Sequence, residues 1–243
     1  WSLRVGPVRH GGAGSATPDV AVGYRRGAAR PPRAMILYLH GFASGPGSAK
    51  ARFLAGRFAR LGTRLEVPDL TPGEDGFERS TPSSMLAVAE ARLASAPGPH
   101  AIIGSSLGGW LGALAASRHP SVERLVLLAP AFRLRARWSG RLTPAQLDGW
   151  RRDGLEVLHF ASGRQRRIGF QFLEDAARWP AFPRVTVPTL CLAGRRDETV
   201  PLEDVERFVA LTPTARLLPL DDGHELLASL DRIFEEARAF LGL

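Results

Sequence analysis

The 243-residue sequence contains one cysteine (Cys191), one lysine (Lys50), two tyrosines and no long apolar run. A single cysteine excludes an internal disulfide and any cysteine-rich zinc site. The longest apolar run, Leu125 to Ala131, falls well short of the ~18–20 residues a membrane helix needs, and it suits a buried strand. There is no internal repeat and no low-complexity tract. With 44% hydrophobic and 23% charged residues, the composition is that of a globular chain and not of a disordered one. At this length one α/β domain with a large core is expected.

With Lys50 the only lysine, 31 of the 32 basic residues are arginine, and the net charge is +8. The surplus is unevenly placed. Residues 131–170 carry nine arginines against three acids, whereas residues 171–243 carry eight arginines against thirteen acids. Neither a basic face with interleaved aromatics nor a recognisable nucleic-acid module accompanies the charge, so no nucleic-acid partner is expected. Residues 1–25, broken by Gly11, Gly12, Gly14 and Pro18, read as an arm in which Val20 to Tyr24 suits a short edge strand. No apolar stretch follows the early arginines, so the arm does not read as an intact signal peptide. The expected location is the bacterial cytoplasm.

From Met35 the pattern becomes regular. Met35 to Leu39 is a continuous apolar run ended by His40-Gly41, as a strand buried on both faces would be. Ser48 to Leu61 reads as a helix, with Phe53, Leu54, Phe58 and Leu61 on one stripe. Leu65 to Val67 is a short strand, and Pro82 opens a second helix bearing Met85, Leu86, Ala89 and Leu93. Ala101 to Ile103, Leu125 to Leu128, Thr189 to Leu192 and Leu217 to Leu220 are further strands. Leu107 to Ser117 is a helix of small residues, and a final helix is expected from about Glu225. Strands alternating with helices imply a mostly parallel sheet covered on both sides, with ligands at the strand carboxyl ends. Arg133 to Pro183 is too long for a simple connection, so it is read as an insertion over that edge.

The sharpest signal is Gly104-Ser105-Ser106-Leu107-Gly108, a G-x-S-x-G pattern centred on Ser106 and set between a strand and a helix. Such a turn holds a serine Oγ at the strand end. A serine hydroxyl is a poor nucleophile near neutrality and needs a base oriented by a carboxylate. Of six histidines, His224 follows the last strand and precedes the last helix. His40 also ends a strand, but its neighbours Gly41 and Phe42 suggest a structural or oxyanion-loop role. For the acid, Asp197 directly follows the Thr189 strand; Glu198, Asp221 and Asp222 are its rivals. Asp221 and Asp222 sit so near His224 in sequence that capping the last helix suits them better. The chain order Ser106, Asp197, His224 is that of an α/β-hydrolase. The backbone N–H groups of Leu107 and Phe42 are the candidate oxyanion donors.

The segments Tyr38-Leu-His-Gly-Phe42, Gly104-Ser-Ser-Leu-Gly-Gly-Trp-Leu111, Gly194-Arg-Arg-Asp-Glu-Thr-Val-Pro201 and Asp222-Gly-His224 resemble α/β-hydrolases of the serine esterase type. His40-Gly-Phe-Ala-Ser44 with Ser48-Ala-Lys50 resembles the small YqiA-like bacterial esterases. Gly104 to Leu111 is also similar to the mitochondrial hydrolases that cleave acyl glucuronides and protein S-palmitoyl thioesters. The resemblance covers residues 34–130 and 184–243 and implies an α/β-hydrolase domain over 26–243. The smallest members lack the 133–183 insertion, which is expected to form a short cap. In it Thr143 to Leu147 reads as a capped helix leading to Trp150, Leu155 to Phe160 as a strand and Gln171 to Ala177 as a helix. Trp138, Trp150, Phe160, Phe170, Phe172 and Trp179 are candidates either to wall an acyl pocket or to anchor the cap. The expected function is hydrolysis of small-molecule carboxylic esters or thioesters through an acyl-serine, with no metal or organic cofactor. The alternatives are a cofactor-free C–C hydrolase or haloperoxidase on the same three residues, or a binding protein without catalysis.

Overall fold

The structure is a computed structural model that describes residues 35–243. The expected arm over 1–25, the strand Val20–Tyr24 and the domain start at residue 26 lie outside the described residues. The first half of the chain forms β1 (Met35–Leu39), α1 (Ala49–Arg60), β2 (Leu65–Glu66), α2 (Gly76–Arg79), α3 (Pro82–Ala94), β3 (His100–Ser105), α4 (Leu107–Arg118) and β4 (Val122–Leu128). The insertion follows as α5 (Leu134–Arg141), α6 (Pro144–Asp153), the hairpin β5 (Leu155–His159) and β6 (Arg164–Ile168), and α7 (Gln171–Ala176). The chain then returns through β7 (Thr189–Gly194), α8 (Leu202–Leu211), β8 (Ala215–Leu220) and α9 (Leu230–Leu241).

The fold is an α/β-hydrolase fold. Its central sheet has the order β2-β1-β3-β4-β7-β8, with every pairing parallel. Both faces are buried, which explains the continuous apolar runs. On one face Leu37, Leu39, Ile102, Leu125, Leu127 and Cys191 pack with residues of α3, α4, α8 and the insertion. On the other, Ile36, Tyr38, Ala101, Ile103, Val126, Leu128, Leu190 and Leu192 pack with α1 and α9. The alternation follows from the two-residue period of a strand. Chain order reverses between β1 and β3, so the crevice at the carboxyl ends of those two strands is where such sheets take ligands. Among the described residues no helix is long and apolar enough to cross a membrane.

The insertion is tied to the domain by polar contacts. Asp175 in α7 accepts from Ser83 N–H at 2.7 Å and Ser83 Oγ–H at 2.8 Å, placing a carboxylate at the N-terminus of α3. Trp179 Nε1–H donates to Ser83 Oγ at 3.0 Å, and Trp110 Nε1–H of α4 donates to Pro180 O at 3.0 Å; within the insertion, Trp150 Nε1–H donates to Ile168 O at 2.8 Å. The helix expected at Thr143 forms with a full capping box, Thr143 and Gln146 each bonding the other's backbone N–H.

Two expectations need correction. The last helix starts at Leu230, not Glu225, and its N-cap is Ser229, not Asp221 or Asp222. Residues 223–229 are taken up by turns in which Leu226 N–H donates to Gly223 O and Leu226 sits at φ 54°. Asp221 and Asp222 bond elsewhere: the Asp221 carbonyl accepts from Arg196, and Asp222 Oδ1 accepts from Gly223 N–H. Strand β6 is arginine-rich and has no apolar alternation of its own. It exists because it pairs with β5, Leu155 opposite Ile168 and His159 opposite Arg164.

Candidate active site

Four loops meet at the carboxyl edge of the sheet, following β1, β3, β7 and β8. They are forced together by close backbone approach. A Cβ on Gly108 would lie 2.6 Å from the His40 carbonyl oxygen and nearer still to that of Leu39, so α4 touches the end of β1 only because residue 108 is glycine. A Cβ on Gly194 would lie 2.6 Å from the Gly223 carbonyl oxygen, so the end of β7 is pressed against the loop that carries His224.

Ser106 links β3 to α4 at φ 52°, ψ −117°, a conformation costly for any residue but glycine. Its carbonyl accepts from Gly109, Trp110 and Ala131 N–H, and its own N–H donates to Leu128 O, which over-determines the strained turn. Among the described residues every non-glycine positive φ belongs to a loop leaving a strand's carboxyl end: Ala43, Ser106, Ala129, Arg133 and Leu226. The strained positions therefore all lie at the carboxyl edge of the sheet.

The structure brings Ser106, Asp197 and His224 into contact, although 118 residues separate the serine from the histidine. Ser106 Oγ lies 2.9 Å from His224 Nε2, and His224 Nδ1 lies 2.8 Å from Asp197 Oδ2. A carboxylate can only accept, so Nδ1 carries the proton and donates to Asp197, leaving Nε2 to accept the Ser106 hydroxyl proton. Asp197 Oδ1 accepts from Thr199 N–H at 2.8 Å and Val200 N–H at 2.7 Å. Burial pushes the Asp197 carboxyl up. The hydrogen bonds from His224, Val200 and Thr199 outweigh it, so its pKa ends below the usual carboxylate value. The side chain is 1% exposed and fully partnered. Of the rivals, Asp221 pairs with Arg196 at 3.2 Å, and Glu198 is exposed.

A cavity of about 980 Å³ opens over Ser106. Phe42 and Leu107 line it, and a Cβ on Gly41 would meet Ser106 Cβ at 3.5 Å, so the loop after β1 lies directly against the serine. The backbone N–H groups of Phe42 and Leu107 have no hydrogen-bond partner among the described residues. The six cap aromatics divide by role. Trp138 and Phe160 stand in the cavity wall, with Phe160 69% exposed at the mouth. Trp150 and Phe172 are buried anchors, Phe170 packs on Trp150 at 5.3 Å, and Trp179 is anchored by its bond to Ser83 Oγ. Contacts from α5 to the Asp197 loop were not foreseen: Arg137 donates to Thr199 O and Arg141 to Glu198 O, each at 2.7 Å. Their spacing of four residues on a helix was the available signal.

The other described histidines are held structurally. His100 Nε2 lies 3.0 Å from the Leu93 carbonyl, His159 Nδ1 bonds Ser162, and His119 caps the end of α4. His40 Nδ1–H donates to Gly41 O at 3.0 Å while Nε2 accepts from Leu70 N–H at 3.2 Å. Burial therefore pulls its pKa below 6.5, since a second ring proton would face a donor. Below about pH 6.5 the unfolded chain binds a proton that folded His40 refuses, so His40 costs stability as the pH falls through that value. His159 is shifted the same way, by burial and then by Arg166. Denaturant midpoints are expected to fall between pH 7.5 and 5.5, and to fall less in His40→Gln; an equal fall in both proteins contradicts this. Cys191 is buried in β7 with its thiol pushed up by burial, which leaves it inert. No three His, Cys, Asp or Glu side chains among the described residues are gathered so as to hold a metal ion.

The sequence profile of the uncharacterised protein family UPF0227 matches residues 35–242. The chain belongs to UPF0227. No curated protein matches it in sequence. Among solved structures this UPF0227 protein is similar to alpha/beta hydrolase domain-containing protein 10 from mouse, at 21% identity over 87% of this chain and 90% of that one, with a TM-score of 0.74. It is similar to Est1E from Butyrivibrio proteoclasticus, at 20% identity over 86% of each chain with a TM-score of 0.70. One of the metagenome-derived lipolytic enzymes LipS and LipT matches at 24% identity over 86% of this chain and 93% of that one, with a TM-score of 0.66. At these identities the likeness establishes the fold that UPF0227 shares with them.

Proposed function

We propose that this UPF0227 protein is a serine hydrolase that cleaves small carboxylic esters or thioesters. The observation that carries the reading is the unbroken relay from Asp197 through His224 to Ser106 Oγ, on a strained turn beneath an open cavity. Ser106 Oγ attacks the substrate carbonyl while its proton passes to His224 Nε2. Asp197 holds the imidazole in that orientation and stabilises the imidazolium. The Phe42 and Leu107 N–H groups donate to the tetrahedral oxyanion, each such donor being worth ~100- to 1000-fold in rate. His224 returns the proton to the departing alcohol or thiol, leaving an acyl-serine. Water, deprotonated by the same histidine, then attacks that acyl group, and collapse of the second tetrahedral adduct returns the proton to Ser106 and frees the acid. The names of similar structures support ester chemistry on this fold: one is described as lipolytic, and Est1E has been solved with ferulic acid bound.

The test is turnover of p-nitrophenyl butyrate by the purified protein. Hydrolysis with an initial burst of p-nitrophenolate is expected when deacylation is the slower step. A folded protein that turns over no p-nitrophenyl ester or thioester, yet halogenates in the presence of peroxide, contradicts the reading.

A further inference from the structure

The charged part of the cavity wall is lopsided. Lys50, Arg52, Arg137 and Arg141 line it, and among the described residues Glu225 is the one carboxylate that does. Glu225 is already committed to Lys50, whose Nζ donates to its Oε2 at 3.1 Å and to its carbonyl at 2.6 Å. Arg137 and Arg141 stand four residues apart on α5 and so share a helix face. Both reach one oxygen: the Thr199 carbonyl accepts from Arg137 Nη1 at 2.7 Å and from Arg141 Nη2 at 3.1 Å. The carboxylate beside them, Asp204, is shared. Its Oδ1 accepts from Arg133 at 3.0 Å, and its Oδ2 stays 4.0 Å from Arg137 Nε. Arg141 has no carboxylate partner among the described residues.

Two guanidiniums converging on a single carbonyl repel each other; Arg141 is exposed, but the Arg137 side chain is only 12% exposed, which weakens the screening of that repulsion by water. Burial, with Arg141 and Arg133 adding to it against the pull of Asp204 and Asp197, brings the Arg137 pKa down to about 10. Each guanidinium has five N–H donors, and only a minority of these are engaged, so the pair retains planar forks suited to a carboxylate or phosphate. An anion there would relieve the repulsion and complete the hydrogen bonding.

We infer that Arg137 and Arg141 form an anion subsite in the wall of the Ser106 cavity, so that the natural substrate is an ester bearing a carboxylate or phosphate group. The inference rests on the ester-hydrolase reading above.

The test compares p-nitrophenyl hemisuccinate with p-nitrophenyl butyrate, and 4-carboxyphenyl butyrate with phenyl butyrate. The first pair places the anion on the acyl side, the second on the alcohol side. At low salt the anionic ester of at least one pair is expected to have the higher kcat/KM, and Arg141→Gln to lower that preference about tenfold or more, through KM. Arg135→Gln removes the same charge from the same helix outside this cavity and is expected to leave the preference in place. No preference in either pair overturns the inference, as does an equal loss in Arg135→Gln, which would mean a diffuse field. An Arg141→Gln effect equal on neutral and anionic esters also overturns it, since that would mean a clamp on the Asp197 loop alone. If no ester is cleaved at all, the hydrolase reading fails separately. Calorimetry on the wild-type protein with monomethyl succinate, and separately with inorganic phosphate, then decides the subsite. Binding of either that is lost in Arg141→Gln supports it, and binding of neither overturns it.

Discussion

Replacing Ser106 with alanine is expected to lower the kcat for p-nitrophenyl butyrate by about a million-fold, the scale seen when the nucleophile of a serine hydrolase is removed. Glycine at the same position is expected to be equally inactive but to unfold at a higher temperature than the wild type. The reason is the backbone. Ser106 is held at φ 52°, where a Cβ is strained and glycine is not. Relief of that strain is worth roughly 1–2 kcal/mol, or a few degrees in Tm for a chain of this size. Alanine keeps the Cβ and should gain little. A Ser106→Gly protein no more stable than Ser106→Ala would mean that the turn stores no strain, and retained turnover in either variant would remove Ser106 from the chemistry.

Gly108→Ala is expected to be the most destabilising single methyl that can be added near the site. A Cβ there lies 2.6 Å from His40 O and closer to Leu39 O, inside the 3.0 Å that Cβ atoms keep from other heavy atoms. The obstacles are backbone carbonyls at the end of β1, not flexible side-chain tips. Relief therefore requires α4 to move off the sheet, away from Leu39, Ile102 and Leu125, all fully buried. Overpacking usually costs about 1–3 kcal/mol, and this case belongs at or above the upper end. Gly112→Ala provides the comparison: its Cβ would meet the Ile102 side chain at 3.1 Å, a contact that a shift of a few tenths of an ångström relieves, and a far smaller loss is expected. Denaturant midpoints of the two variants decide the matter, and equal midpoints would contradict the account.

What the sequence made legible was whatever had a local cause. The strands buried on both faces announced themselves as unbroken apolar runs, and Thr143 and Pro82 marked their helix starts through capping and fixed φ. The elbow at Gly104–Gly108 and the order of the three candidate side chains were readable because the fold lets residues leave only at strand ends. The start of α9 was not, because Leu226 continues the apolar stripe yet is used at positive φ in the turn beside His224. Helix α8 does carry local signals, since Pro201 precedes it and Glu203 and Asp204 occupy its first turn, where acids favour a helix. Strand β6 had no local signal at all: its residues Arg164 to Ile168 become a strand only through pairing with β5. The clamp from Arg137 and Arg141 to the Asp197 loop is a tertiary fact that composition showed merely as an arginine surplus.

The claim beneath the functional reading is that His224 renders Ser106 Oγ nucleophilic. Treatment with a fluorophosphonate probe, followed by mass spectrometry of the peptide spanning residues 101–118, measures that property without presuming a substrate. One phosphonyl group per chain, attached to Ser106 and absent from His224→Gln at the same reagent concentration, is the result the account predicts. A folded protein left unmodified, or modified equally well without the histidine, would contradict it.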